Sequence, residues 1–174
     1  AYLTRDTPLA TIWPVPPAEE QAHVARLVAE AVIVGAERSM QQDIDFGLRQ
    51  LNDIALRALS PAVNDPTTAV ETIHRIGSVM RPLLLVDLPA QSVCDEVGRV
   101  LLTPEDLDHG EYVRDAFDQL RIYAAPHPQV QQALVHTLRM LKSACAGRPG
   151  RERALAELDR QLALARAGSA KAGL

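Results

Sequence analysis

The sequence predicts an all-α protein, a bundle of five to six helices preceded by a short β-hairpin-like segment. Three observations carry that expectation. Apolar residues recur at three- and four-residue spacing in five or six stretches, the breaks between them are short and rich in Pro, Gly and Asp, and strand-like residues gather only near the start. The 174 residues suit one domain, and 47% hydrophobic with 23% charged residues is a globular mixture. The expected division is a strand-like opening over 1–16, a helical domain over 17–168 and a frayed tail over 169–174.

Tyr2 and Leu3, with Leu9–Ile12 across "TRDTP", suggest the small hairpin, closed by Pro14, Pro16 and Pro17. Val24, Leu27, Val28 and Ala31 then mark one face of a first helix, ended or bent at Gly35. A second helix is expected from about Gln41 to Leu59. Its apolar stripe is Ile44, Leu48, Leu51, Ala55 and Leu59, with Ile54 alongside. Ser60 and Pro61 stop it. Asp65 before Pro66 reads as an N-cap with proline at the first helical position, so a third helix begins there. Its core face is Val70, Ile73, Ile76, Gly77, Met80 and Leu83, and the short "SPAVND" link makes the pair an αα-hairpin.

Beyond Pro82 the periodicity weakens, and Arg99–Leu102 reads either as a strand or as a loop. "TPED" at Thr103–Asp106 signals a nearby helix start. Val113, Ala116, Phe117, Leu120 and Tyr123 give the next helical face. Val130, Leu134, Leu138, Leu141 and Cys145 give another, and Leu155, Leu158, Leu162 and Ala165 the last.

Composition excludes several functions. A net charge of -4 and 3% aromatic residues oppose nucleic-acid binding, which needs a basic face and stacking platforms. Two cysteines make neither a disulfide scaffold nor a four-cysteine zinc site, and the five histidines lack ligand spacing. No glycine-rich phosphate loop or nucleophile elbow is present, so no cofactor and no metal are expected. The apolar runs fall short of the roughly 18 residues of a membrane span. The opening residues lack a signal-peptide pattern, and the chain reads as a piece of a longer protein.

One polar pattern stands out. Asp45, Arg49, Asp53 and Arg57 recur every fourth residue, a ladder of alternating charge on one helix face. It is either solvated surface or a polar contact. Asp43 and Asp45 point about 200° apart on a helix, so they do not share an ion without a kink. "DLDHGE" at Asp106–Glu111 has its glycine one place early for a calcium loop and reads better as a helix entry.

The run from Glu37 to Ile73, "ERSMQQDIDFGLRQLNDIALRALSPAVNDPTTAVETI", resembles the signature of a bacterial family of predicted integral membrane proteins of unknown function. Asn52 and Ala62 depart from that pattern, where a Val-like residue and Gly are expected. The resemblance implies transmembrane segments upstream and a C-terminal soluble part. It joins Arg38, Asp43, Arg49, Asp53, Arg57, Asn64 and Asp65 into one constellation, while assigning no catalytic residue. The expected function is therefore a non-catalytic domain on the cytoplasmic side of the inner membrane. It would be a homo-oligomer, or a regulator of its own membrane spans. The alternative is a sensor or transport gate binding a small anion or metabolite near Arg49, Arg57 and Asn64. A metal-assisted hydrolase using Asp43, Asp45 or Asp53 ranks last.

Overall fold

A computed structural model describes residues 8, 10–31, 43–88, 93–94, 100–102 and 107–171. Among the described residues there are six helices: α1 (Ala18–Ala31), α2 (Ile44–Ala58), α3 (Pro66–Leu85), α4 (His109–Ala124), α5 (Pro128–Cys145) and α6 (Glu152–Lys171). The expected helical bundle is the fold. Between α3 and α4 lies a small antiparallel ladder, β1 (Val93–Cys94) with β2 (Val100–Leu102), so the ambiguous segment holds a short strand. The N-terminal hairpin is not supported. Tyr2, Leu3 and Leu9 lie outside the described residues, and Ala10–Ile12 are neither helix nor strand. The chain divides into two units, Ala1–Arg38 and Ser39–Leu174.

In the first unit α1 opens on Glu19 and Glu20, acids suited to the positive end of a helix. None of its residues is buried; Val24 and Val28 are half-buried and Leu27 is exposed. Gly35 lies outside the described residues.

The second unit holds the core. There α3 packs on α5, α4 on α6, and α2 on both α3 and α4, while α6 also lies along α5. The buried stripe of α5 matches its periodicity residue for residue: Val130, Leu134, Leu138, Leu141 and Cys145. Ile73, Ile76, Met80 and Leu84 from α3 meet Phe117 and Leu120 of α4 and Leu158 of α6 in one cluster. Small residues let the axes approach. A methyl group on Gly77 would stand 2.6 Å from the Thr137 side chain of α5. Ala55, Ala69, Ala116 and Ala165 are fully buried.

Three apolar assignments need correction. Ile44 and Ile54 are exposed, and the buried place on α2 belongs to Asn52, whose side-chain N–H donates to the Asp115 carbonyl of α4 at 3.0 Å. Tyr123 is half exposed near the end of α4, although the next residue, Ala124, is fully buried. Of the tail expected over 169–174, α6 takes in residues up to Lys171, and 172–174 lie outside the described residues.

A buried arginine closes the far end of α3. Pro82 lies in the last turn of α3, and the Leu84, Leu85 and Val86 carbonyls beyond it have no next helical turn to accept from. Arg151, 5% exposed, reaches in from the turn before α6. Its Nε donates to the Leu84 carbonyl at 2.6 Å, and its Nη2 to those of Leu85 (3.3 Å) and Val86 (3.0 Å). Nη2 also meets the Asp87 carboxylate at 2.7 Å and holds that carboxyl below its usual range. Buried His109, the first residue of α4, stands 3.1 Å from the same Val86 oxygen. A carbonyl can only accept, so His109 Nε2 carries the proton. Gly147 and Gly150, both at positive φ, let the α5–α6 link turn tightly enough to deliver Arg151.

A second network joins α4 to α6. Fully buried Gln161 donates to Asp118 and Glu157, each at 2.8 Å, and accepts from Arg121 at 3.1 Å. Arg160 donates to the same Asp118 oxygen at 2.8 Å. Partial burial pushes the Asp118 carboxyl up, but the Gln161 and Arg160 bonds outweigh it and leave it below the usual carboxylate value.

Two outcomes follow from these networks. Arg151→Ala leaves buried carbonyls without donors and costs about 2–4 kcal/mol in denaturant unfolding, and Arg151→Lys restores only part of it because an ammonium lacks the planar fork. Asp118 has a depressed folded pKa. Its contribution is complete above the unfolded carboxylate value of about 4 and is lost as pH falls through the folded value. Asp118→Asn therefore melts earlier at neutral pH and shows a shallower loss of melting temperature between about pH 5 and pH 2.

Candidate functional site

The charged helix, the tight turn and the start of α3 are the most distinctive run of the sequence. Asp43 is the N-cap of α2, its carboxylate accepting from the Phe46 N–H at 2.9 Å. This cap sets the helix start at Ile44, later than the expected Gln41; Gln41 and Gln42 lie outside the described residues, as does Arg38. Asp45 and Arg49 pair at 3.0 Å one turn apart, with the arginine side chain 60% exposed. Asp53 and Arg57 continue along the exposed face. The ladder is thus a surface strip, and Asp43 and Asp45 engage different partners.

The turn is built by backbone bonds that fold it under α2. The Asn64 N–H donates to the Ser60 carbonyl and the Asp65 N–H to that of Ala58, each at 2.8 Å. Asn64 has φ of 46°, the left-handed conformation that asparagine tolerates better than most side chains. Asp65 then caps α3, accepting from the Thr68 N–H at 3.1 Å and from its hydroxyl. The Thr68 hydroxyl and backbone bonds hold the Asp65 carboxyl below its usual range. A cap already saturated by a carboxylate offers no free charge to an anion at that helix start.

Beside this turn lies a shallow groove of about 470 Å3. Leu59, Pro61 and Asn64 form one side, and Ile122, Tyr123, Pro126 and His127 the other. Exposed Val63, Ile122 and Tyr123 make its surroundings apolar. Of the expected constellation only Asn64 reaches this groove. The other side is supplied by the end of α4 and the link to α5, which the sequence does not connect to the turn.

Several polar residues escaped the sequence reading. Arg151, His109, Gln161 and Asn52 carry long-range bonds that no local spacing announces. The helix entry at "DLDHGE" did have a signal. Asp108 and Glu111 form a capping box with reciprocal bonds of 2.9 Å. Among the described residues no group of three or more His, Cys, Asp or Glu side chains gathers as metal ligands would. Cys145 is buried, and desolvation raises its thiol pKa. No helix among the described residues is long and apolar enough to cross a membrane.

A family model described as "Predicted membrane protein (DUF2254)" matches residues 1–140. Uncharacterized proteins of Mycobacterium bovis and of Mycobacterium tuberculosis are each 40% identical to the chain over 114 residues, 66% of it. The match spans only 22% of the length of those relatives. No solved structure matches the chain.

The two kinds of carboxylate in the motif separate in a melting experiment. Asp65→Ala, which strips the α3 cap, lowers the melting temperature by about 2–4 °C, whereas Asp53→Ala on the open face shifts it by less than about 1 °C.

Proposed function

The chain belongs to this family of predicted membrane proteins, and from that premise we propose that it is a non-catalytic module of a larger membrane protein. The module self-associates, or regulates the membrane-embedded part of its parent, on the cytoplasmic side of the bacterial inner membrane. One observation carries the reading: the apolar groove at the α2–α3 turn sits within the family-matched region and is flanked by exposed Val63, Ile122 and Tyr123. Aromatic and branched side chains left in water at one end of a well-packed bundle are the anchors of a protein contact. The interior is compatible with this reading: Arg151, His109 and Gln161 are engaged in helix ends and helix-to-helix bonds, while Asn52 Oδ1 and Gln131 Oε1 are buried without a donor among the described residues.

A second reading rests on the same groove. Asn64 and His127 place polar atoms at the edge of an apolar pocket, which suits a small anion or metabolite and makes the module a sensor or gate. Such a ligand raises the melting temperature of the chain, because it binds only the folded state.

Sedimentation equilibrium of the 174-residue chain decides the first reading. We expect a reversible oligomer weakened at least tenfold by Ile122→Asp with Tyr123→Asp. A strict monomer at high concentration, or an oligomer indifferent to the double substitution, overturns it.

A further inference from the structure

The basic residues of this acidic chain are unevenly placed. Together α3 and α5 carry Arg75, Arg81, Arg139 and Lys142 against the single acid Glu71, and α5 has no acid at all. The chain as a whole has 18 Lys and Arg against 22 Asp and Glu. These two helices thus carry an excess of positive charge in a chain that is negative overall.

Their outer faces form one continuous surface. A groove of about 500 Å3 runs between them, with Thr67 and His74 on one wall and Gln129, Gln132 and His136 on the other. Residues 67–74 lie beside 129–136, and Gly77 lies against Thr137, so the two helices run in the same direction. Arg81, seven residues past His74, and Arg139, three past His136, extend the two walls along the same faces. Arg75 lies about 100° round α3 from His74, one turn past exposed Glu71, and borders the wall without lining the groove. All three arginines are exposed and, among the described residues, have no carboxylate partner. On α4 and α6, Arg114, Arg121, Arg153 and Arg160 are paired, and Arg166 near the end of α6 is the one exposed arginine of those helices with no carboxylate partner among the described residues. Lys142 turns aside to Asp159 of α6.

We propose that the α3–α5 face docks on the anionic lipid headgroups of the membrane that carries the parent protein. The inference deepens the proposed function and rests on its premise that the module works beside a bilayer. Unpaired guanidinium forks match phosphate oxygens in two-point geometry, and the amide and hydroxyl groups of the groove add neutral donors. Charge complementarity selects the occupant: the face is positive, an anionic leaflet is negative, and each basic residue near such a surface adds attraction. The acidic surface of a second copy is the competing occupant.

Co-sedimentation of the 174-residue chain with phosphatidylcholine vesicles, with and without a third of phosphatidylglycerol, tests this. Binding is expected only to the anionic vesicles and to weaken as salt is raised. Replacing Arg75, Arg81 and Arg139 with Gln lowers the partition constant roughly a hundredfold. Removing exposed charge elsewhere, with Arg57→Gln and Arg166→Gln, changes it by less than about threefold. All these positions are exposed, and circular dichroism melts confirm that each variant folds. Equal loss in both sets, or no preference for anionic vesicles, overturns the inference. So does a salt-sensitive oligomer that the triple substitution dissolves while vesicles stay unbound. An oligomer through the Tyr123 groove that ignores vesicles retains the proposed function and sinks this inference alone; a strict monomer that binds vesicles does the reverse.

Discussion

Arg151 is the constraint around which this bundle is organised. A helix that ends against its neighbours must find donors for its last carbonyls, and here Leu84 is fully buried. The end of α3 solves this with a guanidinium delivered from 65 to 67 residues downstream. The same Val86 oxygen takes a bond from His109, so the start of α4, the start of α6 and the end of α3 converge on a few atoms. A buried cation is costly to desolvate, and only its set of carbonyls and the Asp87 carboxylate offset that cost. The geometry therefore has little freedom. Moving any of the three helix ends would break bonds belonging to the other two.

From that fixed corner the rest of the packing follows. With its far end held, α3 can lie close along α5, and Gly77 removes the side chain that would collide with Thr137. The Gln161 network fastens α4 to α6, and Asn52 fastens α2 to α4. Polar side chains thus set which helix meets which, while the apolar cluster supplies most of the driving force. Most of the interior's polar groups are committed to structure, with Asn52 Oδ1 and Gln131 Oε1 left without a donor among the described residues. What remains available for work is the surface: an apolar groove at one turn and a basic face on two parallel helices.

How much of this was legible depended on distance along the chain. Local chemistry read well: Asp65 before Pro66 named an N-cap, the run Asp106–Glu111 a helix entry, and the stripe from Val130 to Cys145 a buried face. Each rests on residues a turn or two apart. Long-range partners did not read. Nothing near Arg151 distinguishes it from the exposed Arg148 or Arg153, and its depth is set by α3, far upstream. Periodicity also misplaced Ile44 and Ile54. Hydrophobicity ranked them above Asn52, yet the partner helix offered a carbonyl where an amide side chain fits. At the candidate site, the α2–α3 turn and its caps were visible, whereas the side of the groove formed by α4 was not. The left-handed residue of the turn proved to be Asn64, two places beyond Ala62.

The family assignment and the geometry meet at the surface, because the chain spans about a fifth of the mycobacterial relatives it matches. The proposed contacts all lie on that exterior, and the buried corner fixes the helix ends behind them. Native-state hydrogen exchange on Arg151→Met tests that corner most directly. The account predicts that amides at the end of α3, the start of α4 and the start of α6 lose protection together, while the α2–α3 turn keeps its own. Loss confined to the first turn of α6, with the end of α3 still protected, would contradict it.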